Sequence, residues 1–364
     1  MTPGPDPLRK VRVLLVDDSA VMRSLLRLVL EPQARLEIVA AASSGREGLA
    51  AFERLQPDLV LLDIEMPRMN GLEVLSSLRS RDRRVPIIMC STLTSRGARI
   101  TIEALARGAT DYVTKPGAQT GVRQGVETLT RELLPKILAL FPTESKPAPP
   151  SPPPPEARLA FPPSSIHAPR IVVIGVSTGG PAALEVLLPK FPAGFPLPIL
   201  IVQHMPRLFT GLLAERLDSV CPLRVREAAP DTHPEPGVID IARGDFHLEL
   251  SRDMRLVLTQ NPPENFCRPS VDVLFRSAAQ ACSARVLGVI LTGMGSDGLQ
   301  GARAIRTAGG AIFAQDAPTS VVWGMPGAVT NAGLANKVLP LEAIASEVLR
   351  VVPAAIPHME AVAL

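Results

Sequence analysis

The chain has 364 residues, which is room for two domains of ordinary size. Its formal net charge of +3 comes without a dense block of lysine or arginine, and only 3% of its residues are aromatic. We therefore expect no nucleic-acid partner. Four cysteines without a CxxC spacing indicate reduced thiols, so we expect a cytoplasmic protein. No apolar stretch approaches the roughly 20 residues that span a bilayer, so we expect no direct membrane insertion.

A proline-rich stretch divides the chain. Ten prolines fall between Pro142 and Pro163. Such a segment favours extended polyproline II and is typical of a semi-rigid spacer. We predict a first domain at 10–135, a linker at 141–169 and a second domain at 170–352. A proline-rich ligand for a partner domain is the alternative interpretation of the stretch.

The first domain is predicted to alternate five strands with five helices, the pattern of a doubly wound parallel α/β sheet. Ser44 and Glu47 have the spacing of a capping box that opens a helix. The strands with clear apolar runs are 11–16, 59–62, 85–90 and 111–114. The helices with clear periodicity are 21–30, 44–55, 71–78, 100–107 and 122–140.

The alternation resumes after the linker and predicts a second doubly wound, mostly parallel α/β sheet. Its strands are expected at 171–176, 198–203, 286–291 and 311–315. Its helices are expected at 181–188, 207–217, 271–281 and 298–307. Residues 222–260 are irregular, with short apolar runs, and predict a hairpin insertion.

Acidic residues follow two strands of the first domain. Asp17 and Asp18 come after the first strand, and Asp63 ends the third. Parallel strands open their carboxyl ends onto one crevice, where these carboxylates repel one another unless a hard cation neutralises them. Mg²⁺ suits such an oxygen site. Lys115 and the Ser91 hydroxyl follow later strands and can reach the same crevice.

Residues 10–135 resemble the receiver domain of two-component response regulators. The run from Asp63 to Gly71, with Met66-Pro67 inside it, is typical of that family. The resemblance implies a flavodoxin-like five-stranded parallel sheet and a Mg²⁺-dependent transfer of a phosphoryl group from a histidine kinase to Asp63. It also implies roles for other residues: metal binding by Asp17, Asp18, Asp63 and the backbone carbonyl of Glu65, and switching or phosphate contact by Ser91, Tyr112 and Lys115.

The second domain opens with a strand that leads directly into a tight turn and a helix. Residues 171–181 read Ile-Val-Val-Ile-Gly-Val-Ser-Thr-Gly-Gly-Pro. This layout exposes Ser177 beyond the strand end and aims unpaired backbone N–H groups at whatever the serine attacks. The pentapeptide from Gly175 to Gly179 also fits the G-x-S-x-G pattern of hydrolases. We predict a nucleophilic serine.

Two other interpretations of this turn conflict with the sequence. A dinucleotide-binding loop requires glycine at 177 and an acid after the next strand, but that strand ends in Gln203-His204. An α/β-hydrolase has its histidine after the acid in the chain, and the later histidines are poorly placed. His204 and Asp297 both follow parallel strands and can converge on Ser177. Each alone also fits a structural histidine or a helix cap.

The second domain closely resembles the CheB family of chemotaxis protein-glutamate methylesterases. The matching runs begin at Ile174, Gln203, Arg268, Leu291 and Ala314. The resemblance implies Ser177 as nucleophile, His204 as base, Asp297 as its orienting acid, and Thr178 and Met294 on the oxyanion side. The family's Ile-Ala-Pro-Gly turn has Arg243 in place of proline here.

The two resemblances together imply a function under phosphorylation control. A Ser-His-Asp set without a cofactor would hydrolyse glutamate γ-methyl esters, and deamidate glutamine, on methyl-accepting chemoreceptors. A chemotaxis-type histidine kinase would supply the phosphoryl group. The alternatives are a non-catalytic two-component signalling scaffold and a response regulator of another pathway. A DNA-binding regulator would need a helix-turn-helix, which the strand-rich second domain does not supply.

Overall fold

The computed structural model describes residues 9–117, 121–142 and 167–352. The described residues form two compact units, which divide at the proline-rich stretch. Most of the predicted linker, residues 143–166, lies outside the described residues. In the described part of the chain, no helix is long and apolar enough to cross a membrane.

The first unit is a parallel sheet in the strand order β2-β1-β3-β4-β5 with helices between the strands. This confirms the predicted α/β fold. The strands are β1 Val11–Val16, β2 Leu36–Ala42, β3 Leu59–Asp63, β4 Ile87–Ser91 and β5 Asp111–Thr114. The helices are α1 Ala20–Leu30, α2 Gly45–Leu55, α3 Gly71–Arg81, α4 Ser95–Ala106 and α5 Val122–Leu140.

Register brings the carboxyl ends of these strands to one edge of the sheet. Val16 pairs with Leu62, Asp63 with Cys90, and Ser91 with Thr114. Strands β3 and β4 are buried along their whole length, as expected for a parallel sheet. The polar residues that follow the strands therefore share one edge.

The predicted capping box of α2 forms only in part. Ser44 Oγ accepts a hydrogen bond from the N–H of Glu47 at 3.4 Å. The Glu47 carboxylate, however, accepts from the N–H of Ser43 at 2.7 Å rather than from that of Ser44. The complete box lies in α3, where Asn70 and Glu73 bond reciprocally. Asparagine at the cap position, like serine, supplies a side-chain oxygen that accepts a backbone hydrogen bond.

The second unit is built on a seven-stranded sheet in the order β14-β13-β12-β6-β7-β9-β8, in which every neighbouring pair is parallel. The predicted doubly wound α/β architecture is confirmed. The strands are β6 Ile171–Val176, β7 Ile199–Gln203, β8 Arg224–Glu227, β9 Val238–Ile241, β10 His247–Leu250, β11 Leu256–Thr259, β12 Val286–Ile290, β13 Ala311–Gln315 and β14 Lys337–Leu339. The helices are α6 Gly180–Leu187, α7 Arg207–Asp218, α8 Val271–Cys282, α9 Leu299–Thr307, α10 Met325–Asn331 and α11 Leu341–Val351.

The irregular stretch 222–260 combines two kinds of structure. Strands β10 and β11 form the predicted antiparallel hairpin as a separate two-stranded sheet. Strands β8 and β9 instead pair in parallel with each other, and β9 pairs with β7, so they extend the main sheet. The hairpin prediction therefore holds for half of this stretch.

Strand order decides where a site can form in this unit. Strand β6 lies at the centre of the sheet, between β12 and β7. The chain runs outward from β6 in one direction to β7 and returns later to build β12 and β13 on the other side. The point where the order reverses, at the carboxyl ends, is where open α/β sheets bind their ligands.

Candidate active site

Ser177 lies at this reversal point, immediately after β6. Its N–H donates to the carbonyl of Thr292 at 3.0 Å, and its carbonyl accepts from Gln203 Nε2 at 3.1 Å. Gly179 then turns the chain with a left-handed φ of 77°, and α6 begins. The backbone of the serine is thus fixed by the two neighbouring strands while its side chain stays half-buried.

His204 and Asp297 form a pair at the same edge of the sheet as Ser177. They follow β7 and β12, the two strands that flank β6, and His204 Nε2 lies 2.7 Å from Asp297 Oδ2. The N–H of His204 donates to the carbonyl of Val176, the last residue of β6. Burial lowers the pKa of His204, but the bond to Asp297 and the nearby Cys267 outweigh burial, so the pKa is raised above its ordinary value.

The Asp297 carboxylate is held by a set of protein donors. Burial raises its pKa, but the His204 bond and backbone N–H groups hold the pKa below its ordinary value. Oδ2 accepts from the N–H of Val271 at 2.7 Å. Oδ1 accepts from Asn265 Nδ2 at 2.9 Å and Ser270 Oγ at 2.8 Å. No sequence pattern pointed to Asn265 or Ser270, although Ser270 lies in the Arg268-Pro-Ser-Val-Asp run.

The other link of the expected Ser-His-Asp set, a hydrogen bond from the serine to the histidine, is open in the described structure. Among the described residues, no hydrogen bond links the side chains of Ser177 and His204. Such bonds are often open without substrate and tighten in the complex. Cys267, a free and half-buried thiol, groups with His204 and Asp297, with ligating atoms within 4.8 Å of one another. Because the Asp297 oxygens are already taken by protein donors, this group suits proton transfer better than cation binding.

Backbone N–H groups near the serine are available to a substrate oxygen. In the described part of the chain, the N–H groups of Thr178 and Met294 donate to no protein acceptor. The N–H of Ser177 is taken by Thr292, and that of Gly293 by Val322. The N–H groups of Gly179 and Gly295, in the same described turns, likewise donate to no protein acceptor. Thr178 and Met294 therefore stay a prediction from the family resemblance.

Arg243 stands where the family resemblance leads us to expect proline. Its guanidinium lies 5.6 Å from the Phe246 ring, and Arg207 lies 5.9 Å from the same ring. Its Nε is also 3.6 Å from Glu227 Oε2. The Arg243 side chain therefore packs within this loop, between the Phe246 ring and the Glu227 carboxylate.

The acidic residues of the first unit form a compact pocket around Lys115. Its Nζ lies 2.8 Å from Asp17 Oδ2 and 2.7 Å from Asp63 Oδ1. Burial, together with the charge on Asp17, raises the pKa of Asp63 to about 6, although Lys115 opposes this. Oxygens of Asp17, Asp18 and Asp63 lie within 4.8 Å of one another. An all-oxygen set with an exposed side at Asp18 fits the ligand preference of Mg²⁺.

The other predicted receiver residues lie at the end of β4, in the turn after β3 and in β5. Ser91 is buried at the end of β4, where its Oγ accepts from the Thr101 hydroxyl at 2.7 Å. The N–H of Glu65 donates to Asp63 Oδ1 at 3.2 Å. Tyr112 is buried in β5, with Lys136 Nζ 5.0 Å from its ring centre.

Comparison with known proteins agrees with both halves of this arrangement. The family model "CheB methylesterase" matches residues 172–348, and "Response regulator receiver domain" matches residues 13–127. A protein-glutamate methylesterase/protein-glutamine glutaminase of Nocardioides sp. (strain ATCC BAA-499 / JS614) is 48% identical over 353 residues, which cover 93% of this chain and 95% of the relative. This chain belongs to the CheB methylesterase family.

Two further matches are a full-length relative and a solved structure of a catalytic domain. The protein-glutamate methylesterase/protein-glutamine glutaminase of Trichodesmium erythraeum is 45% identical and covers 94% of this chain and 99% of its own length. The crystal structure of the Thermotoga maritima CheB methylesterase catalytic domain is 43% identical, with a TM-score of 0.49. It covers 51% of this chain and 100% of that one.

Proposed function

We propose that this methylesterase hydrolyses glutamate γ-methyl esters, and deamidates glutamine, on methyl-accepting chemoreceptors under the control of Asp63 phosphorylation. The observation that carries the proposal is the placement of Ser177, His204 and Asp297 after three adjacent strands, with His204 and Asp297 2.7 Å apart. The proposed division is a receiver at 10–135, a linker at 141–169 and a catalytic domain at 170–352.

The chemistry follows from the arrangement of these groups. Ser177 Oγ attacks the ester carbonyl and His204 takes its proton. Because Nε2 faces Asp297, Nδ1 is the ring nitrogen left for the serine. Asp297 fixes the tautomer and stabilises the imidazolium, and the N–H groups of Thr178 and Met294 hold the oxyanion. His204 gives the proton to the leaving methoxy oxygen, which departs as methanol, or to the amide nitrogen of glutamine, which departs as ammonia. It then activates the water that frees the acyl group.

The receiver residues fit phosphoryl transfer from a chemotaxis-type histidine kinase. Mg²⁺ would be held by Asp17, Asp18, Asp63 and the backbone carbonyl of Glu65, and would neutralise charge on the transferring group. The Asp63 carboxylate accepts the phosphoryl group. Lys115, already paired with Asp63, contacts it afterwards, while Ser91 and Tyr112 respond to the new charge. We place this chemistry in the cytoplasm, which suits the four free cysteines.

Release of methanol from a methylated chemoreceptor tests the proposal. The wild-type chain is expected to release methanol, and Ser177→Ala to release none above background. Equal release above background by the two proteins would exclude Ser177 as the nucleophile. No release by either would favour the alternative, a non-catalytic signalling scaffold.

A further inference from the structure

Two buried carboxylates lie side by side at the base of the candidate active site. Asp297 is 3% exposed and Asp272 is 2% exposed. The Asn265 amide lies between them, since its Nδ2 donates to Asp297 Oδ1 at 2.9 Å and to Asp272 Oδ2 at 2.8 Å. Burial, together with the charge on Asp297, raises the pKa of Asp272 above its ordinary value. One neutral amide thus separates two groups of like charge.

The backbone holds Asn265 at this position. Asn265 and Phe266 have left-handed φ angles of 52° and 61°, a region that asparagine tolerates better than most residues. The turn is closed by paired backbone hydrogen bonds between Glu264 and Cys267. The Glu264 carboxylate accepts hydrogen bonds from both terminal nitrogens of Arg276, at 2.5 and 2.6 Å. An anchored turn with an unfavourable backbone is typical of functional segments.

Each of the neighbouring donors bonds to only one of the two carboxylates, unlike Asn265. The N–H groups of Val271 and Asp272 and the Ser270 hydroxyl bond to Asp297, while the N–H of Gly301 bonds to Asp272. Among the described residues, Asn265 is the side chain that donates to both carboxylates. The titratable or charged groups facing this cluster are His204, Cys267, Glu264 and Arg276.

We infer that Asn265 is a positioning residue, whose amide keeps the Asp297 carboxylate apart from Asp272 and aimed at His204. Asn265 is an exposed residue, and the role inferred for it is exerted through Asp297. The inference rests on the proposed function, because it assigns Asn265 to the orientation of the catalytic base.

Two substitutions at one position distinguish this role from a structural one. Asn265→Gly removes the amide and suits the left-handed backbone. Asn265→Asp keeps the shape and places a third carboxylate between the other two. If the amide separates charge, activity falls in the order wild type, Gly, Asp. If the side chain only fills space, Asn265→Asp is about as active as wild type and Asn265→Gly is the least active.

We expect kcat for the methylated receptor to fall roughly 10- to 100-fold in Asn265→Gly, the range for a lost hydrogen bond to a charged group, with KM little changed. The kcat of Asn265→Asp is expected to fall further. Adding Asp272→Asn to Asn265→Asp is expected to recover most of that loss, because it restores one amide among the carboxylates. Asn261→Ala, at an exposed position of the same segment, is the matched control.

A spectroscopic readout separates this inference from the proposed function. The downfield proton resonance of the His204–Asp297 hydrogen bond, followed by NMR in the full chain, requires no substrate. We expect the resonance in wild type and Asn261→Ala, and its broadening or loss in both Asn265 variants while thermal unfolding remains cooperative. An unchanged resonance, an Asp variant as active as wild type, or no recovery in the double variant would each overturn the inference. A chain that releases no methanol overturns the proposed function but leaves the NMR comparison valid.

Discussion

At the scale of single residues, the His204–Asp297 pair gives the clearest expectation for pH dependence. Asp297 stabilises the imidazolium and contributes to the raised pKa of His204. His204 must be neutral to accept the serine proton, so activity rises with pH as His204 deprotonates. Asp297→Asn removes the charge that favours the imidazolium, and the pKa of His204 falls. The acid limb of the kcat/KM profile should therefore move to lower pH.

The same substitution should also lower kcat steeply, by up to about 10⁴-fold if the tautomer is lost as in other Ser-His-Asp sets. Initial rates between pH 5 and 10 on a small ester would measure both effects. His233→Asn is the control, since His233 is an exposed histidine that bonds to the Met254 carbonyl. An acid limb that moves upward in Asp297→Asn would contradict the assigned role.

Cys267 offers a second test of the site geometry. Its Sγ belongs to the group of atoms within 4.8 Å that includes His204 and Asp297. A methylthio group added to this thiol occupies the space next to the imidazole, so methyl methanethiosulfonate should inactivate the wild-type chain. Cys267→Ala should lose no activity on treatment. Cys221→Ala removes another free, half-buried thiol and should stay as sensitive as wild type. Equal inactivation of all three proteins would place the sensitive group elsewhere.

The sequence predicted some residues of this site and missed others for a physical reason. Ser177, His204 and Asp297 each follow a long apolar strand, and parallel strands bring their carboxyl ends together. Asn265 and Cys267 lie on an irregular segment without periodicity. Their approach to Asp297 depends on left-handed backbone angles and on the Glu264–Arg276 pair, neither of which a sequence pattern reveals.

At the scale of elements, a continuous buried run decided how well a strand could be predicted. The seven-residue β2 is largely half-buried and was not placed, whereas the four-residue β5 was predicted with its observed bounds. The bounds of β6, β7, β12 and β13 lie within one residue of those expected, because these strands are long apolar runs. Strand β8 has only four residues, Arg-Val-Arg-Glu, and β14 has three. Runs this short and polar carry little periodicity, and their place at the sheet edges follows from tertiary pairing. Neither strand could therefore be placed from the sequence.

The turn between β12 and α9 gives an element-scale prediction at Gly293. A Cβ at this position would lie 2.3 Å from Met325 Sδ and 2.8 Å from Ser177 Cβ. Gly293→Ala must therefore displace the turn, the methionine or the serine. We expect ester hydrolysis to fall about 100-fold, as for a nucleophile displaced by about 1 Å.

Gly194→Ala is the control for this turn, because a Cβ at Gly194 would meet nothing within 4 Å. Both variants would be compared by rates on a small ester and by thermal unfolding. A Gly293→Ala chain with wild-type activity would show that the serine does not depend on this close contact.

At the scale of the whole molecule, a charge change in one unit is expected to alter catalysis in the other. Asp63 is 2% exposed and pairs with Lys115, so phosphorylation replaces its single carboxylate charge with a phosphoryl group that carries about −1.5 to −2 charges. Lys115 must then divide its contacts between the new group and Asp17. Such a local change can shift a two-state element and so reach a distant site.

Acetyl phosphate with Mg²⁺ tests this coupling in the full chain. We expect treatment to raise the rate of methanol release from methylated receptor roughly 5- to 150-fold, the effect of a coupling free energy of about 1–3 kcal/mol. Asp63→Asn lacks the acceptor carboxylate and should not respond. Ser177→Ala, which keeps Asp63, should be phosphorylated normally yet release no methanol, so it separates the two events. If treated wild type and Asp63→Asn hydrolysed the receptor equally fast, Asp63 would not control the esterase.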